Sequence, residues 1–298
     1  MDGIYKDIVK QYTDEHIDNI CNLTGGHINR SLLVTAGGGR YVLQCLYPDI
    51  FAGHLRDMES NYIQYRIACE QSIEEFGDKL GEWYCPEWIL DQSGQFIHTD
   101  KEGRIWRMYG YIEGDRAAVG AKTDAYEIGV GLGKMHMILK KCDKNQIRAV
   151  FPHLHDLDYY YNEYLAVKDT VTDREPLLDK IISEHADEMC KTSLPAGEVI
   201  HGDAKINNMI FRNGKVVGFV DLDTLMCGSI FNDVSDCMRS SCLSDDLILI
   251  NDRADLLLQG LEESTGIKIT PDEKDLILDN LKRNCFMLGL RYYTDHLK

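Results

Sequence analysis

Between Val199 and Thr224 the chain reads VIHGDAKINNMIFRNGKVVGFVDLDT, and no other stretch limits the possible folds so tightly. Two apolar runs, Met209 to Phe211 and Lys215 to Val220, flank Asn213-Gly214, which is a strong short-range hairpin signal. His201-Gly202-Asp203 precedes the hairpin, Asn208 stands five residues after the aspartate, and Asp221 closes the second run. The apolar flanks predict a buried ribbon that presents Asp203, Asn208 and Asp221 at one rim. Either half alone reads as an ordinary hairpin with a capping Asp and a turn Asn. Both halves in order, at hairpin distance, argue for a site.

The chemistry of the three side chains suits phosphoryl transfer. One carboxylate orients an acceptor hydroxyl and takes its proton, while an amide oxygen and a second carboxylate hold Mg²⁺ on nucleotide phosphates. Mg²⁺ is a hard cation that prefers such oxygen ligands. The spacing H-x-D-x-x-x-x-N matches the kinase catalytic-loop pattern, and an Asp ending the next strand matches its metal-binding position. On these residues the chain resembles the aminoglycoside phosphotransferase and choline kinase superfamily, small-molecule relatives of the protein kinases.

The resemblance implies an α+β, two-lobed protein-kinase-like fold: a small antiparallel β-sheet lobe over residues 1–110 and a larger, mainly helical lobe over 111–298. It implies ATP and Mg²⁺ as cofactors and a small-molecule hydroxyl acceptor as partner. Asp203 is then the base, Lys205 the cation at the transferring phosphoryl group, and Asn208 and Asp221 the metal ligands. His201 and Asp236 are expected to be structural, Asp236 by accepting hydrogen bonds from the catalytic-loop backbone. Asp223 is a candidate for touching metal or substrate, although a strand-end acceptor is an equal reading.

Upstream, a leading helix is expected over residues 4–17, followed by strands at 20–23, 30–35 and 41–47 with turns at Gly25-Gly26 and Gly37-Gly38-Gly39. Gly25 and Gly26 occupy the place of the kinase phosphate-covering loop without its full motif, and a plain turn explains them equally. Strand three, YVLQCLY, carries Gln44 where kinases carry the phosphate-binding lysine. A retired kinase or a relocated cation would each account for it. GGHINRSLLV, YVLQCLY, DLDTLMCG, FNDVSDCMR and LGLRYYTDHL together look like the N-acetylhexosamine 1-kinase branch, where Gln belongs to the pattern, and this favours relocation.

A long helix from Leu55 to Phe76, ended by Gly77, would place Glu59 opposite Gln44; a solvated glutamate is the plain alternative. Segments 86–91 and 96–99 around Ser93-Gly94 read as another hairpin. The adenine hinge is expected near Met108, Tyr109, Gly110, Tyr111 and Ile112. Gly129, Gly131, Gly133 and Lys134 mimic a phosphate loop but lack its spacing, and they lie in a predicted helix over 123–141, where small residues permit close packing. Further helices are expected at 158–169, 175–190, 245–261 and 271–293, with NDVSDCMRS lying in the stretch 231–243. The last pattern still runs at Lys298, as it would if a short tail followed. Arg291, in that helix, is the candidate for sugar hydroxyls; an ion pair to a neighbouring acid is the alternative.

The net charge of −17 argues against nucleic-acid partners. No apolar run approaches the roughly 20 residues of a membrane helix. Ten scattered cysteines without a C-x-x-C pair, behind an N-terminus unlike a signal peptide, point to reduced thiols in a cytoplasmic protein. Three functions follow: a sugar kinase acting at the anomeric hydroxyl of an N-acetylhexosamine; a kinase for aminoglycosides, choline, homoserine or another small alcohol; or a non-catalytic nucleotide-binding protein. The intact Asp203, Asn208 and Asp221 set speaks against the third.

Overall fold

A computed structural model describes residues 2–23, 29–116, 124–172, 174–191 and 193–298. Gly25 and Gly26 lie outside the described residues, as does Thr123. The N-terminal elements are α1 (Asp2–Val9), β1 (Ile17–Asn22), β2 (Arg30–Ala36), β3 (Gly39–Leu46), α2 (Pro48–Phe51), α3 (Leu55–Leu80), β4 (Trp88–Ile89), β5 (Ile97–Thr99) and β6 (Ile105–Gly110). Their strands form one antiparallel sheet in the order β1-β2-β3-β6-β4, with β5 also paired to β6. A mainly helical region follows: β7 (Asp115–Arg116), α4 (Ala125–Leu139), α5 (Leu157–Val167), α6 (Pro176–Cys190), β8 (Glu198–Ile200), β9 (Met209–Arg212), β10 (Lys215–Phe219), β11 (Met226–Gly228), α7 (Ile230–Ser241), α8 (Asn251–Thr265) and α9 (Pro271–Leu297). This is the α+β kinase-like fold.

Several expected boundaries shift. The leading helix stops at Val9, and Ile17 already belongs to β1. α3 runs through Gly77 to Leu80 with a kink at Phe76, and Gly81 at φ 59° ends it. Segments 88–89 and 97–99 do not pair with each other; both dock end to end on β6, with Ile89 opposite Met108 and Ile97 opposite Arg107.

The period-two alternation of strand side chains sorts the sheet into two faces. Leu43, Trp106 and Met108 pack beneath α1 with Ile8, Val9 and Tyr12. Leu46 and Ile105 point the other way, toward Met58 and Tyr62 of α3. Gln44 and Arg107 share this second parity, so two polar side chains stand on the face that looks toward α3 and the helical region. Buried Asn61 ties α3 to that region: Nδ2 donates to the Arg148 and Leu225 carbonyls (2.7 and 3.3 Å) and Oδ1 accepts from the Arg148 amide (2.9 Å).

The glycine series in α4 has a packing role. A Cβ on Gly129 would stand 1.9 Å from the Leu257 carbonyl oxygen, and one on Gly260 would stand 2.1 Å from that of Tyr126. The backbones of α4 and α8 therefore touch, with Gly131 against Val216 on the neighbouring hairpin. Gly129→Ala should destabilise the fold by about 1–3 kcal/mol, the range for overpacking a filled core. Urea unfolding would measure it, and an unchanged midpoint would refute the close contact.

Candidate active site

Two short strand pairings bring the site together. β8 runs antiparallel to β11, with Ile200 opposite Met226, so the loop after β8 and the loop before β11 must lie side by side. Between them sits the β9–β10 hairpin, turned through Asn213 (φ 52°) and Gly214 (φ 78°) with Lys215 opposite Arg212. The Val220 amide donates to the Asn208 carbonyl (2.9 Å), closing the hairpin's open end.

His201 is fully buried and works as a two-ended brace. Nδ1 accepts from the Asp203 amide (3.3 Å), so the ring proton resides on Nε2 and is donated to the Val220 carbonyl (3.1 Å). Burial holds its pKa below the ordinary histidine value, which keeps the ring neutral. Gly202, at φ 84°, passes so near the Thr224 carbonyl that a Cβ would stand 2.4 Å from it. The loop that carries Asp203 is thus stitched to the one that carries Asp221.

The carboxylate brace of this loop is Asp233, on the first turn of α7. Its two oxygens accept the amides of His201 and Gly202, both at 2.8 Å. This corrects the expectation for Asp236, which lies one turn further along α7 and pairs with Arg239 at 2.7 Å. Burial pushes the Asp233 carboxyl up to about 7 against the pull of the two amides.

At the rim, Asp203 meets both Lys205 and Asn208. Lys205 Nζ donates to Asp203 Oδ2, and Asn208 Nδ2 donates to the Asp203 carbonyl (2.8 Å) and to Oδ2 (3.0 Å). Burial disfavours the Asp203 charge, but Lys205, His201 and Asn208 outweigh it and the pKa is lowered. Asp221 adopts a left-handed conformation (φ 66°, ψ 49°), which Asp tolerates better than most residues and which is frequent at functional sites. Its residue is exposed, yet protein crowded around the carboxyl, followed by Asp223 and Asp203, raises its pKa to about 6.

Magnesium suits this donor set. The Asn208 amide is oriented by its two N–H bonds, leaving Oδ1 as an oxygen donor, and the Asp221 carboxylate has no hydrogen-bond partner among the described residues. Among those residues no three His, Cys, Asp or Glu side chains gather into a metal cage of their own. Mg²⁺ characteristically takes one or two protein oxygens and completes its shell with phosphates and water.

Other candidate residues fall elsewhere. Asp223 is only 4% exposed, and both its oxygens are taken by Arg107 (2.5 and 2.7 Å), so its assignment to substrate is corrected to a buried ion pair. Glu59 is turned to the Ile97 amide rather than to Gln44, whose own ends are taken by Ser31 and Arg107. In the expected hinge, Met108 is fully buried in the α1 face. The amides of Gly110 and Tyr111 already donate to the carbonyls of Glu87 and Arg40 (2.8 and 2.9 Å), which removes both as donors to an adenine; Tyr109 precedes them, one residue before the end of β6. Arg291 lies 4.7 Å over the Tyr160 ring instead of pairing with an acid. Arg283 Nη2 donates to the His155 carbonyl (3.0 Å). The residues that sequence reasoning passed over are Arg107, Asp233 and Asn61.

Comparison with known proteins agrees with this geometry. A family model described as "Phosphotransferase enzyme family" matches residues 19–265. A homoserine kinase of Polaromonas naphthalenivorans (strain CJ2) is 22% identical over 287 residues, covering 94% of this chain and 84% of its own. Among solved structures, a microcompartment-associated aminopropanol kinase superposes with a TM-score of 0.72 at 12% identity, covering 99% of this chain and 90% of its own. The amicoumacin kinase hAmiN, in complex with AMP-PNP, Ca²⁺ and Ami, superposes at 0.69 with 13% identity, covering 99% and 86%.

Proposed function

Because the chain belongs to the phosphotransferase enzyme family, we propose that it transfers the γ-phosphoryl group of Mg²⁺·ATP to a hydroxyl of a small-molecule acceptor. The observation that carries this reading is the convergence of Asp203, Lys205, Asn208 and Asp221 on one rim. Asp203 accepts the acceptor's hydroxyl hydrogen and aims its oxygen along the line of attack. A carboxylate of lowered pKa is a weak base in the ground state, so its main work is orientation, with the proton following as the O–P bond forms. Lys205, held against Asp203, is placed to meet negative charge on the phosphoryl oxygens. Asn208 Oδ1 and Asp221 are the residues that would hold the metal, which when bound neutralises charge on the β- and γ-phosphate oxygens.

The broad reading of the acceptor is a small alcohol, aminoglycosides included. The homoserine and aminopropanol kinases among the relatives support the broad small-alcohol reading. The narrower reading, an N-acetylhexosamine phosphorylated at its anomeric hydroxyl, rests on the sequence segments that resemble that branch, Gln44 among them. A panel of hexosamines, amino alcohols, homoserine and aminoglycosides, assayed for ADP release with products identified by mass, tests both. Turnover confined to aminoglycosides would overturn the hexosamine reading.

Asp221→Asn keeps the shape of the side chain and removes its charge. It should raise the Mg²⁺ concentration for half-maximal activity by on the order of tenfold or more, the cost of losing one charge-assisted contact. A Mg²⁺ titration at saturating ATP reads the effect; an unchanged midpoint would remove Asp221 from the metal site.

A further inference from the structure

The sheet register sets Ser31, Gln44 and Arg107 side by side across β2, β3 and β6. Gln44 spans the row: Nε2 donates to Ser31 Oγ (2.9 Å) and Oε1 accepts from Arg107 Nε (2.8 Å). The guanidinium then donates through Nη1 and Nη2 to the two oxygens of Asp223. We infer that Arg107 is the cation for the nucleotide phosphates in this protein, with Gln44 as its positioning residue and Asp223 as its anchor. The inference rests on the reading that a triphosphate lies against Asp203, Asn208 and Asp221.

Three observations carry it. First, a lysine at position 44 would direct its ammonium at the guanidinium that Gln44 now accepts from, so a cation on β3 and Arg107 on β6 exclude each other. Second, Arg107 reaches across from the sheet to Asp223, two residues past Asp221, and lies within electrostatic range of Asp221 itself. Its charge therefore stands at the loop where the metal-bound phosphates must sit. Third, the described contacts take three of the five N–H donors of the guanidinium, so the fork is fixed in place with donors beyond those that hold it. Trp88, 4.9 Å from the guanidinium carbon, packs on its plane and further limits its motion. Burial disfavours the Arg107 charge, and Asp223 more than offsets it, so the group stays cationic. A buried ion pair is a poor source of stability in itself, because desolvation cancels most of the attraction. A function outside stability explains why the row is polar on a sheet face otherwise filled by Leu46 and Ile105.

The alternative is a clasp that merely joins sheet and helical region, and nucleotide binding separates the two. Affinities of the full-length protein for ATP, ADP and adenosine would be measured by calorimetry with Mg²⁺ present, for the wild type and for Arg107→Met. Arg107→Met should weaken ATP and ADP by about 10–100-fold, the range for a hydrogen bond to a charged group, while adenosine changes less than about twofold. The double variant Gln44→Lys/Arg107→Met, which returns an ammonium to β3, should recover most of the ATP affinity. Equal losses for all three ligands, or a lowered melting temperature with ATP affinity intact, would make Arg107 a clasp and overturn the inference. If Arg107→Met does not fold, Gln44→Met keeps the ion pair and loosens the fork. A selective loss of ATP over adenosine then supports the inference, and no selective loss overturns it. Should the wild type itself bind no Mg²⁺·ATP, the functional reading fails rather than the role of Arg107 alone.

Discussion

Asp203→Asn is expected to lower kcat by about 10²–10⁴-fold, the usual contribution of a positioned general base, with the KM for ATP changed little. The reason is geometric. Oδ2 of Asp203 is held by Lys205 and Asn208, and the backbone amide is held by His201, so the substitution leaves the loop's framework in place. What it removes is the acceptor for the hydroxyl proton and the counter-charge of Lys205. Steady-state rates with the best acceptor of the panel, beside a thermal melt, would check this. A variant retaining more than about a tenth of wild-type kcat would assign the base elsewhere.

Asp233→Ala should be the most damaging substitution for the scaffold of the site. It strands the amides of His201 and Gly202 in a dry interior, at about 1–3 kcal/mol for each unsatisfied donor. Urea unfolding gives the total, and hydrogen exchange at residues 201 and 202 gives the cause. Those two amides should exchange faster in Asp233→Ala and stay protected in Asp236→Ala, because the Asp236 carboxylate pairs with Arg239 and both amides donate to Asp233. Faster exchange in Asp236→Ala alone would reverse the assignment.

The contrast between these two aspartates marks where the sequence was readable. FNDVSDCMR offers acids three residues apart, both on one helical face, and a spacing cannot say which turn of α7 lies level with the end of β8. That depends on where the helix starts, which Ser229 decides by capping the Phe231 amide. The β9–β10 hairpin, by contrast, was legible to within a residue at its strand ends, because Asn-Gly turn chemistry fixes the pairing next to the turn, although a bulge between Val216 and Gly218 shifts the register further on. Helix α4 was equally legible, its glycines read as packing rather than as a phosphate loop. The hairpin expected around Ser93-Gly94 failed for a non-local reason: β6 offers a longer apolar edge to both segments than they offer each other. Arg107 left a faint trace, a cation inside RIWRMYGYIE at a parity filled otherwise by Ile105 and Tyr109. Recognising its partners required knowing that Gln44 and Arg107 stand opposite one another, which is a property of the sheet and of neither strand alone.

Asn61 has a bearing on control. In kinases that are switched, the helix in the place of α3 swings in and out to make or unmake the phosphate site. Here a wholly enclosed amide fastens that helix to Arg148 and to Leu225, one residue beyond the Asp221–Thr224 loop. Any outward swing of α3 would have to break these bonds and leave a buried amide unpaired, a cost of about 1–3 kcal/mol that favours the assembled arrangement.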